Sequence, residues 1–110
     1  MILLLRNRAI PLQLEQMLEE HKFYIKTAVD IEKRVLVGGG ELHADCEKEL
    51  LKDGSRQKDI WAASFMPITG RMIFESMVNL RPRQNRSIEI LDPNIRERVA
   101  QLLMEFLGNL

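Results

Sequence analysis

The residues YIKTAVDIEKRVLV, at positions 24–37, decide the fold of this chain. From Tyr24 to Ile31 the side chains alternate between two faces, which is typical of a half-buried β-strand. Glu32-Lys33-Arg34 predicts a turn, and Val35-Leu36-Val37 predicts a returning strand, although the turn lacks an Asn-Gly type of signal. So short a connection cannot cross over between parallel strands, and the two strands are therefore predicted to be antiparallel.

The same reasoning, applied outward from this hairpin, predicts the remaining elements. They are a strand at 2–5, a helix that begins near Pro11 and extends to His21, a helix at 42–53, a hairpin of strands 60–66 and 72–80, a short strand at 87–91, and a final helix capped by Asp92 and Pro93. The predicted class is α+β, an antiparallel sheet of about four to six strands with about three helices packed on one face. The length of 110 residues predicts a single domain over residues 1–110.

Composition limits the partners that we expect. The chain has 16 basic and 16 acidic residues, so no overall field draws it towards nucleic acid or an anionic membrane. Its only cysteine, Cys46, cannot form an intramolecular disulfide. The apolar run from Met1 to Leu5 is too short for a membrane span or a secretion signal. We therefore expect a cytoplasmic protein without a membrane partner or a bound cofactor.

A first candidate site follows the glycine run Gly38-Gly39-Gly40, which we interpret as a bend between a strand and a helix. Four side chains alternate just after it and would share one face if the segment were extended, as a metal site of oxygen and nitrogen ligands requires. They are Glu41, His43, Asp45 and Glu47. If the segment is helical, these side chains scatter, although His43 and Glu47 would lie one turn apart and could pair or share a divalent ion. The structural alternative is that Asp45 or Glu41 caps the helix and His43 is a hydrogen-bonded side chain near it. Neither a zinc motif nor a calcium loop is present in the sequence.

Cys46 is a second candidate, because His43 lies three residues before it and could act as its base. The neighbouring carboxylates oppose this role, since they raise rather than lower the pKa of a thiol. A small buried residue is the alternative interpretation of Cys46.

The third candidate is a polar loop that concentrates positive charge. Between Ser76 and Ile88 there is no acidic residue, whereas Arg81, Arg83, Asn85 and Arg86 follow one another closely. Guanidinium groups bind phosphate and carboxylate in a bidentate manner, so this loop predicts an anion-binding site.

Two alternatives stand beside that prediction. Nucleic acid is one, with Trp61 or Phe65 as stacking partners for bases. The other is structural: Arg81 and Arg86 would pair with Glu41, Asp45 or Glu47 within the protein.

Three separated runs of sequence resemble a family of short proteins from cyanobacteria and other bacteria that is known only as a domain of unknown function. The runs are GGGELHADCE at 38–47, DGSRQ at 53–57 with Ile60-Trp61, and NLRPR at 79–83 with Asn85-Arg86-Ser87. The resemblance extends over about residues 25–105. It implies no activity, ligand or catalytic residue.

Two functional hypotheses follow from the sequence. The first is a non-enzymatic binding or regulatory module, expected to be a homodimer, that uses the arginine-rich loop for an anionic ligand, nucleic acid or a protein partner. The second is a small metal-dependent hydrolase centred on Glu41, His43 and Asp45. We favour the first, because the sequence offers no complete set of acid, base and nucleophile.

Overall fold

A computed structural model describes residues 1–108 and contains a five-stranded antiparallel sheet with three α-helices. The strands are β1 (Leu3–Leu5), β2 (Ile25–Asp30), β3 (Val35–Gly38), β4 (Ile60–Met66) and β5 (Arg71–Ile73), in the spatial order β1-β3-β2-β4-β5. The helices are α1 (Pro11–Met17), α2 (His43–Lys52) and α3 (Pro93–Leu107). The predicted α+β class is confirmed.

The hairpin of β2 and β3 forms as the alternation predicted, with Asp30 opposite Val35. The Asp30 side chain builds the turn, because its Oδ1 accepts hydrogen bonds from the backbone N–H groups of Glu32 and Lys33, each at 2.9 Å. Arg34 then adopts a left-handed conformation with φ of 57°. The turn therefore forms without an Asn-Gly pair, because the Asp30 carboxylate binds the backbone N–H groups of the two turn residues.

The helices cover both faces of the sheet, which corrects the expectation that all of them pack on one face. On one face Val29, Leu36 and Trp61 belong to the same core as the apolar side of α3. On the other face, apolar strand residues such as Val37 form a second core with Cys46 and Leu50 of α2. Strands β2 to β4 are buried on both sides because both of their alternating sets of positions are largely small or apolar.

The second predicted hairpin also forms, but its returning strand is much shorter than the predicted 72–80. Strand β5 ends at Ile73, and a short 3-10 helix, Met77–Asn79, follows. The predicted last strand at 87–91 is reduced to an isolated bridge between Glu75 and Glu89. Side chains take over the missing pairing: Asn79 Oδ1 accepts from the Ala62 N–H at 2.8 Å, and Asn79 Nδ2 donates to the Ala62 carbonyl at 2.9 Å.

The observed ends of helices α1 and α3 agree only in part with the predicted ends. Helix α3 begins as predicted, with Asp92 Oδ1 accepting from the Asn94 N–H at 2.8 Å and Pro93 in the first turn. Helix α1 ends at Met17, a turn before the predicted limit at His21. Within residues 1–108, none of the helices combines the length and the apolar character that a membrane crossing requires.

Candidate functional site

The arginine loop, residues 81–86, lies beside the start of β4 and is held there by Arg81. This side chain is only 8% exposed, and its guanidinium stacks over the Trp61 ring with 4.3 Å between Cζ and the ring centroid. Its Nη2 donates to the Ile60 carbonyl, and its Nη1 donates to Gln84 Oε1 at 3.2 Å. Arg81 therefore fastens the loop to the edge of β4 and has a structural role in addition to any contact with a ligand.

Asn85 is buried and organises the loop from within. Its Nδ2 lies within hydrogen-bond distance of three backbone carbonyls, those of Asn79, Ser87 and Glu89. Its Oδ1 accepts from the Leu91 N–H at 3.1 Å. Because both ends of the amide are engaged by the protein, Asn85 shapes the site rather than facing a ligand.

Arg83 and Arg86 are the exposed arginines of the loop. Arg86 Nε donates to the Pro82 carbonyl at 3.0 Å and thereby braces the turn. The Arg83 side chain makes no hydrogen bond or ion pair with any part of residues 1–108. Of the predicted ligand-binding residues, Arg83 therefore presents the guanidinium most available to an anion.

A cleft of about 440 Å³ opens beside the arginine loop. It is lined by Gln57, Lys58, Leu80, Arg81, Pro82, Arg83 and Gln84. Three of these side chains are cationic and none is a carboxylate. The other three clefts of similar size described for residues 1–108 each contain at least one acidic side chain. The arginine-loop cleft is thus distinguished by a lining that contains cationic side chains and no carboxylate.

The sequence indicated the arginines of this cleft, with Gln84 among them, but not Gln57 or Lys58. Lys58 stands in a short 3-10 helix, Gln57–Asp59, that precedes β4. The Gln84 side chain joins the two segments, because its Nε2 donates to the Lys58 carbonyl at 3.0 Å. Only the folded structure brings these residues together, since they are more than twenty positions apart.

The expected pairing of the arginine loop with nearby carboxylates is not formed. None of the ion pairs found in residues 1–108 connects Arg81 or Arg86 to Glu41, Asp45 or Glu47. Burial lowers the pKa of Arg81, while the negative charges of Glu47 and Asp59 act in the opposite direction. Glu47 is therefore an electrostatic neighbour of Arg81 without being its hydrogen-bond partner.

The three residues of the metal hypothesis have separate environments. His43 Nε2 lies 3.1 Å from Ser64 Oγ on the sheet, and Asp45 Oδ2 accepts from the Leu42 N–H at 3.1 Å to cap α2. Glu41 precedes the helix with an exposed side chain. In the described part of the chain, no group of three His, Cys, Asp or Glu side chains is arranged to hold a metal ion.

The pKa values of His43 and Cys46 are both shifted in the direction that favours the neutral side chain. Desolvation by burial, assisted by the charge of Lys26, lowers the pKa of His43 to about 4. Burial likewise raises the pKa of the Cys46 thiol to about 11. Cys46 Sγ faces the Lys26 carbonyl at 3.4 Å. A thiol that stays protonated at neutral pH lacks the activation that a cysteine nucleophile needs.

The aromatic residues considered for stacking on bases belong to the core. Trp61 and Phe65 are each 1% exposed, and the face of the Trp61 ring is covered by Arg81. Neither ring is accessible to a nucleic acid base.

The chain thus defines an α+β protein that covers both sheet faces with helices and has a basic cleft at one edge. A family model described as "Protein of unknown function (DUF5674)" matches residues 3–106, and the chain belongs to this family. The resemblance to a domain of unknown function is thereby confirmed. No significant match was found among curated proteins or among solved structures.

Proposed function

We propose that this protein is a non-enzymatic binding module that takes a small anionic ligand into the arginine-loop cleft. The observation that supports the proposal most strongly is the lining of the cleft, which contains Lys58, Arg81 and Arg83 and no carboxylate. In a concave site, a lining of cationic side chains without a carboxylate favours a local positive potential even though the chain as a whole is neutral.

The cationic side chains would contribute in different ways. Arg83 is exposed and has an unoccupied guanidinium, so it can form two parallel hydrogen bonds to a phosphate or carboxylate. Lys58 adds an exposed positive charge from the segment on the other side of the cleft. Arg81 is fixed by Ile60 and Gln84 and would add charge at a defined position.

A small ligand fits these features better than nucleic acid does. Binding of single strands relies on exposed aromatic rings that stack on successive bases. Trp61 and Phe65 are buried, and the net charge of zero offers no extended basic surface. The protonated Cys46 and the engagement of His43 with Ser64 favour binding over catalysis.

We also propose a cytoplasmic location and a homodimer. The single cysteine is buried as a free thiol, which suits a reducing compartment. The homodimer is supported by large apolar side chains that are exposed in the single chain, such as Phe23 and Ile68. Light scattering coupled to size-exclusion chromatography tests the dimer, and a monomer at high micromolar concentration would refute it.

Titration with inorganic phosphate, followed by NMR of backbone amides, tests the anion-binding proposal. We expect shifts centred on residues 80–84 and Lys58, with an affinity that falls as salt is added, because exposed charges are screened. Arg83→Ala should weaken the affinity by about fivefold to tenfold, the loss expected for a charge-assisted pair near the surface.

Arg71→Ala is the matched control, since Arg71 is an exposed arginine on β5 outside the cleft. It should leave the affinity for phosphate unchanged. Equal losses in the two variants, or shifts spread evenly over the surface, would contradict a site in the arginine-loop cleft.

A further inference from the structure

We infer that the preferred ligand of the arginine-loop cleft is a small phosphate monoester with an apolar substituent. This inference rests on the proposed anion-binding function and adds the chemical class of the ligand. Three features of the cleft support it: its apolar wall, its number of positive charges, and the rigidity of the loop.

The apolar wall consists of Leu80 and Pro82. Leu80 is 44% exposed and Pro82 is exposed, and both line the cleft together with the cationic side chains. Inorganic phosphate is hydrated on every side and gains nothing from such a surface. A ligand with an apolar group next to its charge removes both surfaces from water, which is the usual composition of a small-molecule site.

The charge count favours a phosphate monoester over a carboxylate. A phosphate monoester carries a charge of about −1.5 to −2 at pH 7, whereas a carboxylate carries a single charge. Lys58 and Arg83 supply two exposed positive charges. The third, on Arg81, is partly offset by Glu47 and Asp59, whose charges act on it. A doubly charged ligand therefore balances the cleft more closely.

The loop is held in place before any ligand arrives. Arg86 fixes the Pro82 carbonyl, and Asn85 ties the loop to the segments on both sides of it. A preformed site avoids the entropic cost of ordering a loop during binding. The volume of about 440 Å³ lies within the range of pockets for small molecules.

Calorimetry with phenyl phosphate, inorganic phosphate, benzoate and phenol tests the inference on the intact chain. We expect phenyl phosphate to bind at least about tenfold more tightly than inorganic phosphate and benzoate, and phenol not to bind. Leu80→Ser should remove most of this preference, because it should weaken the binding of phenyl phosphate far more than the binding of inorganic phosphate. Arg83→Ala should weaken the binding of both phosphates.

Leu51→Ser is the matched control for the apolar wall, because Leu51 is also 44% exposed but lies on α2, outside the cleft. This variant should retain the preference for phenyl phosphate. Circular dichroism of each variant confirms that it is folded before its affinity is compared.

The outcomes separate this inference from the broader proposal. If the protein binds the two phosphates with equal affinity and Arg83→Ala weakens both, the claim that the ligand carries an apolar substituent is refuted. The proposed anion site would still stand. If benzoate binds as tightly as phenyl phosphate, the claim that the preferred ligand is a phosphate monoester is refuted. No binding of any anion by the unaltered protein would overturn both proposals.

Discussion

The side chain of Asn79 pairs with the backbone of Ala62 as a neighbouring strand would. Its Oδ1 and Nδ2 satisfy the N–H and the carbonyl of Ala62 at 2.8 and 2.9 Å, and Asn79 itself is fully buried. Strand β5 has already ended at Ile73, so this amide continues the covering of β4 where no backbone is available. Two residues earlier on β4, the carbonyl of Ile60 likewise accepts a hydrogen bond from a side chain, that of Arg81.

Replacing Asn79 should therefore be costly. Asn79→Ala leaves two buried backbone groups without partners, and we expect the free energy of unfolding to fall by about 2–5 kcal/mol. Urea denaturation followed by circular dichroism measures the change. Asn7→Ala, at an exposed position, is the control and should change stability by less than about 0.5 kcal/mol. A similar small loss in Asn79→Ala would show that water replaces the amide at no cost.

Two glycines with positive φ should respond differently to the same substitution. Gly39, with φ of 94°, would place a new Cβ 2.2 Å from the Met1 carbonyl oxygen and 2.9 Å from Met17 Cα. Gly70, with φ of 73°, has nothing within 4 Å of that position. Gly70→Ala should thus cost about 1 kcal/mol of backbone strain, and Gly39→Ala at least about 3 kcal/mol.

Chemical denaturation of the two variants side by side measures this difference. The comparison isolates the steric term, because the unfavourable backbone conformation is common to both positions. If Gly39→Ala were no less stable than Gly70→Ala, the close approach of the N-terminal residue to the glycine run would be disproved.

His43 should make the protein sensitive to mild acid. The unfolded chain binds a proton at this residue below its ordinary pKa of 6.5, whereas the folded protein does so only at about 4. The free energy of unfolding should therefore decrease by about 3 kcal/mol as the pH falls from 6.5 to 4.

Unfolding curves at several pH values test this contribution, and NMR titration of the His43 ring gives its pKa directly. His43→Gln should flatten the stability profile over this range. A ring that titrates near 6.5 would disprove the lowered pKa of this half-buried side chain.

Cys46 should be almost inert towards thiol reagents in the folded protein. Its pKa of about 11 leaves little thiolate at neutral pH, and the side chain is completely buried. We expect alkylation at pH 7.5 to be at least about 100-fold slower than for a free cysteine, and to become fast in urea. Rapid modification without denaturant would instead revive the hypothesis of a reactive cysteine.

The sequence predicted elements whose signals are local. Alternation over 24–37 predicted the hairpin of β2 and β3, and Asp92-Pro93 predicted the start of α3. The placement of helices was wrong, because alternation in a strand with two apolar faces does not reveal that both are covered. The early end of β5 was missed for a similar reason, since the pairing partner of Ala62 is a side chain seventeen residues away.

The candidate site was predicted in part. The run of arginines indicated a basic loop, but the sequence could not show that Arg81 and Asn85 are used to build it while Arg83 remains available. The contribution of Lys58 depends on the contact of its carbonyl with Gln84. For the metal hypothesis, the decisive fact was the helical conformation from His43 onward, which separates side chains that an extended segment would have aligned.

Arg81 contacts the edge of β4 and also lines the cleft, so the stability of the fold and the chemistry of the cleft both depend on this residue. A residue that completes the sheet cannot be varied to adjust ligand affinity without also weakening the fold. Under the proposed anion-binding function, ligand preference would therefore change more readily at Lys58, Leu80 and Arg83, which are exposed and line the cleft. Under the proposed function, we expect Arg81 to vary less among members of the family than these three residues do.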